Sequence, residues 1–206
     1  MKNRILKALK KTSQLALVLL LALSIANCSK DDNGDGGAGG VNPAVAAEPQ
    51  NPLEGFLSST GLNQNVSEFI SIQRERGLSF IPLVNGKMTA IVVKIGKAKN
   101  GIRVLIWDKA SNTLLRTELI DVPTSGQNAT KNIEALNLIK DKEYIICFSG
   151  GFDSYEHRRN NSTDVPYPIT VGDIKITGYC QADYSQMPSE YPTYYYRGNC
   201  SFIFQK

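Results

Sequence analysis

Short apolar runs separated by turn signals fill the chain from Leu78 to its last residues. The first run ends at the hairpin dipeptide Asn85-Gly86, and further breaks follow at 99–101 and 140–142. The runs are rich in β-branched residues, recur about every 8–12 residues and show no long period of 3.6. This pattern predicts an all-β antiparallel β-sandwich. The segment 66–76 fits neither period well, and we interpret it as a short helix or an irregular lead-in.

Alternation in the last two predicted strands indicates which side chains face the core. The inward sets are Ile174, Ile176, Gly178, Cys180 and Ala182 in one strand, and Tyr194, Tyr196, Gly198, Cys200, Phe202 and Phe204 in the other. Because Cys180 and Cys200 both fall in these sets, a disulfide between them is one interpretation in an exported protein. Two buried free thiols are the other interpretation, and core alternation favours it.

The first 27 residues have the parts of a signal peptide. A basic start is followed by the uncharged run from Leu15 to Ile25, which is too short to span a bilayer, since that takes about 20 residues. Cys28 follows directly, and this arrangement resembles the lipobox of bacterial lipoproteins, in which that cysteine becomes the lipidated N-terminus. Asn27 departs from the small residue usual before the cysteine, and an ordinary secretory signal is the alternative. The resemblance implies a lipid-anchored protein of the outer membrane, on its cell-surface or periplasmic face.

Residues 28–50 are rich in Gly, Ala, Pro and Asp and contain no aromatic residue, which predicts a flexible tether. Residues 51–206 then form a single domain, long enough to bury a sizeable core. The stretch 31–36 matches the first half of an EF-hand calcium loop, but Asn42 stands where that loop needs a glutamate. We therefore predict no metal site.

The charge of the chain changes when the signal peptide is removed. The whole sequence has 23 basic and 19 acidic residues, and losing the five basic residues of the signal leaves 18 against 19. No basic run longer than Arg158-Arg159 occurs after the signal. A nearly neutral chain without a clustered basic face is not expected to bind nucleic acid.

The sequence offers little chemistry for catalysis. His157 is the sole histidine and lies in the polar stretch 153–164, which we interpret as a loop. Sequence motifs of serine hydrolases, zinc proteases and nucleotide-binding loops are absent. We predict no enzyme activity, no catalytic residues and no cofactor. A hydrolase remains an alternative, because a glycosidase carboxylate pair is defined by its separation in space.

Tyrosine-rich segments favour a binding surface. Nine tyrosines occur, most of them after position 144, and tyrosine suits rigid recognition surfaces because its ring stacks and its hydroxyl makes hydrogen bonds. Trp107 is expected in the core, with Arg103 on the same strand face stacked against it. The candidate ligand-binding residues are Asp153, Tyr155, Arg158, Arg159, Tyr167, Tyr191 and Tyr195.

Several runs, in their order, resemble a known family. RGLSFIPLVNGKMTAIVVKI, RVLIWD with LLRTE, KDKEYIICF, and the later YPI and GDI stretches are similar to the bacterial domain of unknown function 4082 family, over about residues 75–205. The resemblance implies a jelly-roll-like β-sandwich in secreted and surface proteins, often beside lectin-like modules. It implies no catalytic residues.

These observations together predict a lipid-anchored, non-catalytic extracytoplasmic binding module. The expected partners are the membrane, through the N-terminal lipid, and a polysaccharide at the cell surface. The alternatives are a structural or protein-interaction module of a surface complex and, third, a hydrolase.

Replacing Cys28 with alanine tests the anchor. The Cys28→Ala protein should move from the membrane fraction to the soluble fraction, because the attachment atom for the lipid is gone. Fractionation with metabolic fatty-acid labelling measures this. Continued membrane association of an unlabelled Cys28→Ala protein would contradict the anchor.

Overall fold

A computed structural model describes residues 47–59, 64–151, 153–159, 167–190, 195–197 and 199–206. For 59, 64–68, 154, 156–159 and 195 it describes the backbone alone. The predicted signal peptide, Cys28, most of the predicted tether, Tyr191 and Tyr194 lie outside the described residues.

The described residues form one helix and thirteen strands. In chain order these are α1 (Pro52–Ser59), β1 (Gln64–Ile70), β2 (Arg74–Pro82), β3 (Gly86–Lys94), β4 (Lys99–Asp108), β5 (Thr113–Val122), β6 (Ala129–Leu138), β7 (Tyr144–Gly150), β8 (Asp153–Arg159), β9 (Ile169–Val171), β10 (Ile174–Asp183), β11 (Ser189–Glu190), β12 (Tyr195–Arg197) and β13 (Asn199–Gln205).

The strands build two antiparallel layers packed face to face, so the predicted all-β sandwich is confirmed. One layer is a seven-stranded sheet in the order β11-β10-β2-β7-β4-β5, with β9 added on β10. The other layer consists of two three-stranded sheets, β13-β3-β6 and β1-β8-β12. In the longer strands of both layers, inward-facing apolar side chains are buried between the layers.

Aromatic rings from the two layers meet in the core. Phe80 of β2 lies 4.4 Å from Phe202 of β13, measured between ring centroids, and Phe148 of β7 lies 5.7 Å from Tyr155 of β8. Each such ring buries a large apolar area, worth about 1.5–3 kcal/mol for a fully buried side chain. These contacts hold both three-stranded sheets against the same seven-stranded sheet.

A β-bulge in β10 changes the predicted inward set of that strand. Ile174 and Ile176 face the core as predicted, but the register with β2 shifts between Ile176 and Gly178. Because side chains alternate with period two, one extra residue moves the following ones to the other face. Tyr179 therefore points into the core, and Cys180 points to the outer face of the seven-stranded sheet. The prediction that Cys180 faces the core is wrong.

The final strand keeps its predicted inward face but divides between two sheets. Tyr196, Cys200, Phe202 and Phe204 are all buried in the core, as predicted. β12 pairs with β8, whereas β13 pairs with β3. Cys200 thus lies inside the sandwich and Cys180 lies outside it, with the seven-stranded sheet between them. Both are free thiols in the structure, which agrees with the second interpretation and contains no disulfide between them.

Two segments differ from the sequence predictions. The segment 66–76, expected as a helix or irregular lead-in, contains the end of β1, a short connection at 71–73 and the start of β2. The stretch from Asp153 to Arg159, expected as a polar loop, is strand β8. It pairs with β1 along its whole length and with β12 at 157–159, and this backbone pairing does not depend on an apolar sequence pattern.

The domain already includes the last residue of the predicted tether. Gln50 forms a backbone bridge with Phe204, and its side chain exchanges hydrogen bonds with Asp173. Among the described residues, no helix has the length and apolar character that crossing a membrane requires.

Substituting Gly77 should destabilise the domain strongly. A Cβ at Gly77 would lie 1.8 Å from the backbone oxygen of Ile146 and 2.6 Å from the Cα of Cys147, and neither atom can move away without disturbing β7. We expect Gly77→Ala to lower the free energy of unfolding by about 3 kcal/mol, the upper part of the range for overpacking. Urea unfolding followed by Trp107 fluorescence measures it.

Gly178→Ala in the neighbouring strand is the matched control. Its Cβ would meet only the side chains of Glu190 at 3.2 Å and Ser79 at 3.4 Å, so its effect should be much smaller. Equal losses of stability in the two variants would contradict this packing of β2 on β7.

Candidate functional site

The structure places two of the predicted ligand-binding residues in the interior. Asp153 and Tyr155 are 5% and 2% exposed in β8. The Tyr155 ring packs on Phe148, and the Arg76 guanidinium lies 5.5 Å from its centroid. Burial raises the pKa of Tyr155 to about 12. Tyr155 therefore serves the core, contrary to its predicted place on a ligand-binding loop.

Tyr167 is likewise a packing residue. Its ring stacks on Phe56 of α1, with 5.9 Å between centroids, and Phe56 in turn meets the edge of Tyr196. Burial raises the pKa of Tyr167. The ring thus closes the core beneath the helix.

The remaining predicted residues are described by their backbone or lie outside the described part. Arg159 and Tyr195 are direct cross-strand partners between β8 and β12, and Arg158 is paired with Tyr196. Tyr191 lies outside the described residues. Asp153 forms part of the wall of a cleft of about 290 Å³, together with Lys97 and Lys99. Asp153, Tyr155 and Tyr167 accordingly do not form a shared surface patch.

A different polar network lies on the outer face of the seven-stranded sheet. The Glu75 side chain is completely buried there, although it lies on the face that points away from the core. Its carboxylate accepts hydrogen bonds from the Arg103 guanidinium at 2.6 Å, from the Ser149 hydroxyl at 2.8 Å and from the Ser185 backbone N–H at 2.9 Å. The three donors come from β4, β7 and the turn after β10.

The residues 184–188, which connect β10 to β11 and which we call the strap, cover Glu75. The Arg103 guanidinium lies 4.2 Å from the centroid of the Tyr184 ring and also donates hydrogen bonds to the Ser185 hydroxyl at 3.1 Å. Tyr184 remains 48% exposed. Arg103 thus stacks on Tyr184, whereas the sequence predicted that it stacks on Trp107.

A second set of ion pairs lies at the C-terminal end of the strap. Lys109, the first residue after β4, forms ion pairs with Glu190 of β11 at 2.6 Å and with Glu143 at 3.0 Å. Burial alone would lower the pKa of Lys109, but its hydrogen bonds to the two glutamates outweigh it and raise the pKa. Glu143 also accepts a hydrogen bond from Thr177, the residue at the bulge.

Between these two polar ends lies a small apolar cluster. Leu105, Ile145, Cys147 and Cys180 are buried on the outer face, and Met187 of the strap and Trp107 pack on them. Burial raises the pKa of Cys180 to about 12 and raises that of Cys147 as well. Both thiols therefore stay protonated near neutral pH and are poor nucleophiles.

A larger groove lies at one end of the other layer. It has a volume of about 590 Å³, and its walls include Asn85, Lys87, Asn137, Ile139, Gln205 and Lys206. It is separate from the Asp153 cleft, which contains the loop residues beyond the opposite end of β3.

Comparison with known proteins adds no further constraint on this site: neither a family model nor a curated protein matches the chain. Within the described part of the chain, His, Cys, Asp and Glu side chains do not gather in groups of three or more that could hold a metal ion.

Sequence reasoning missed the network around Glu75. Glu75 is 28 residues from Arg103, 74 from Ser149 and 110 from Ser185, so no local pattern connects them. The one local signal was the turn-forming stretch from Asp183 to Pro188 directly after a predicted strand, which carries Tyr184.

Proposed function

We propose that this chain is a lipid-anchored, non-catalytic extracytoplasmic binding module whose ligand is a glycan at the cell surface. The ligand would lie on the outer face of the seven-stranded sheet, on Tyr184, Arg103 and Trp107, which we call the stacking platform. The observation that carries the proposal is an exposed tyrosine ring held in place by a buried charge network.

Preorganisation is the physical argument for the stacking platform. Arg103 covers one face of the Tyr184 ring, and Arg103 is itself fixed by Glu75 and Ser149. A ring that is already ordered loses little conformational freedom when a ligand stacks on its open face. The tyrosine hydroxyl and the guanidinium supply hydrogen bonds suited to sugar hydroxyl groups.

Trp107 provides a second contact on the same face. It is partly exposed and lies four residues along β4 from Arg103, a distance of roughly 13 Å at about 3.3 Å per residue. Met187 lies on the same apolar cluster as Trp107. An extended ligand crossing the strap could touch both aromatic side chains, which favours a chain-like glycan over a single sugar.

The location rests on the N-terminal sequence. A basic start, a short apolar run and Cys28 support export and lipid attachment, and the Gly-rich stretch after Cys28 supports a tether. The resemblance to the domain of unknown function 4082 family would add a jelly-roll-like connectivity. Its support in the fold is that the chain changes layer repeatedly, from β2 to β3, β3 to β4, β5 to β6 and β6 to β7.

A protein-interaction module is the second candidate, and one observation favours it. Leu114, Leu115 and Leu119 are 42%, 38% and 57% exposed on β5, an edge strand of the seven-stranded sheet. Exposed leucines on an edge strand suit a protein partner better than a sugar.

Removing the Tyr184 ring should weaken glycan binding. We expect Tyr184→Ala to lose about tenfold in affinity, which corresponds to about 1.4 kcal/mol and to the loss of one stacked ring. Tyr184→Phe, the matched control, keeps the ring and should stay within about threefold of the wild type. Affinity electrophoresis against a polysaccharide panel, followed by calorimetry with the best ligand, measures both.

Two outcomes would count against this proposal. If Tyr184→Ala binds the best glycan as tightly as the wild type does, the stacking platform is not the site. If no polysaccharide is bound while a surface protein binds and a Leu119→Asp variant loses it, the protein-interaction function replaces the glycan function.

A further inference from the structure

The groove on the second layer has a regular floor. Gln205 of β13 and Asn137 of β6 are both cross-strand partners of Lys87 in β3, so the three residues form one row across the sheet. Their neighbours Met88, Leu138 and Phe204 are buried in the core, and the row lies on the opposite, solvent-facing side. Directly opposed side chains lie about 4.5–5.5 Å apart at Cβ, which is close enough to contact one ligand group together.

Positive charge is in excess around this row. Lys206 is paired with Asp173 at 3.0 Å, and Lys140 lies 4.0 Å from Asp141. Lys87 has no ion-pair partner among the described residues, although it lies in the middle of the row. The groove therefore presents an uncompensated ammonium group between two carboxamides.

We propose that this groove binds a carboxylate-bearing sugar. The Lys87 ammonium donates hydrogen bonds to the carboxylate, and the carboxamides of Asn137 and Gln205 both donate and accept, as sugar hydroxyl groups require. Ile139, 55% exposed, supplies an apolar wall for the face of the sugar ring. The volume of about 590 Å³ lies within the usual range of small-molecule sites, about 300–1,000 Å³.

This second site does not depend on the stacking platform. It is built by β3, β6 and β13 of one layer, whereas Tyr184, Arg103 and Trp107 belong to the other layer. Either proposal can therefore fail without affecting the other, because variants of Lys87 and of Tyr184 change different sites.

Calorimetry with trigalacturonate and with neutral galactotriose tests the proposal on the mature chain. We expect trigalacturonate to bind at least about tenfold more tightly, and the difference to shrink as salt is raised, because part of it is charge attraction. Lys87→Met keeps the aliphatic stem and should lose about tenfold in affinity for trigalacturonate. Asn137→Ala, at an exposed position, should weaken both sugars.

Matched controls separate this site from general charge effects. Lys97→Met removes an exposed lysine near the far end of β3, and Tyr184→Ala removes the ring of the other face; both should bind trigalacturonate as the wild type does. Equal affinity for the acidic and neutral sugars, or equal losses in Lys87→Met and Lys97→Met, would overturn the proposal. Displacement of trigalacturonate by an equal concentration of inorganic phosphate would show a site for bare anions and would also overturn it.

Discussion

The buried carboxylate of Glu75 is the constraint on which the outer face of the seven-stranded sheet depends. A carboxylate without solvent contact is costly unless it is paired and hydrogen-bonded, and Glu75 has Arg103, Ser149 and the Ser185 N–H as donors. Removing one partner of such a buried pair costs about 3–5 kcal/mol in general, because the other charge is left unsatisfied. Since the donors come from two strands and the strap, satisfying this one carboxylate fixes the strap against the sheet.

Backbone details of β2 and β10 create the space that the strap covers. The bulge at Thr177 moves Cys180 to the outer face, and Gly77, the cross-strand partner of both Cys180 and Cys147, adds no side chain between them. Met187 fills part of that space, and the ion pairs of Lys109 close its far end. A small apolar cluster therefore lies between the Glu75 network and the Lys109 ion pairs, and the exposed Tyr184 ring lies beside the Glu75 network.

The sequence predicts most of the sandwich and little of its surface chemistry. Runs rich in apolar residues predict β2 to β5, β7, β10 and β13, because strands with a face in the core carry apolar side chains on that face. β1 and β8 are polar and are held by cross-strand pairing, which no local pattern reports. One bulge is enough to reverse the predicted side of Cys180, and Tyr155 is buried because β8 is a strand and not a loop. The Glu75 network joins residues up to 110 positions apart and appears only in three dimensions.

Hydrogen exchange at the Ser185 amide, followed by NMR, tests most directly whether Glu75 holds the strap. Ser185 lies at an exposed turn, where an amide without an acceptor exchanges rapidly, but its N–H donates to a carboxylate that has no solvent contact. We expect strong protection in the wild type and a loss of at least about tenfold in Glu75→Gln, with the Cys147 amide of β7 still protected as the internal control. A Ser185 amide that exchanges at the same rate in both proteins would contradict it.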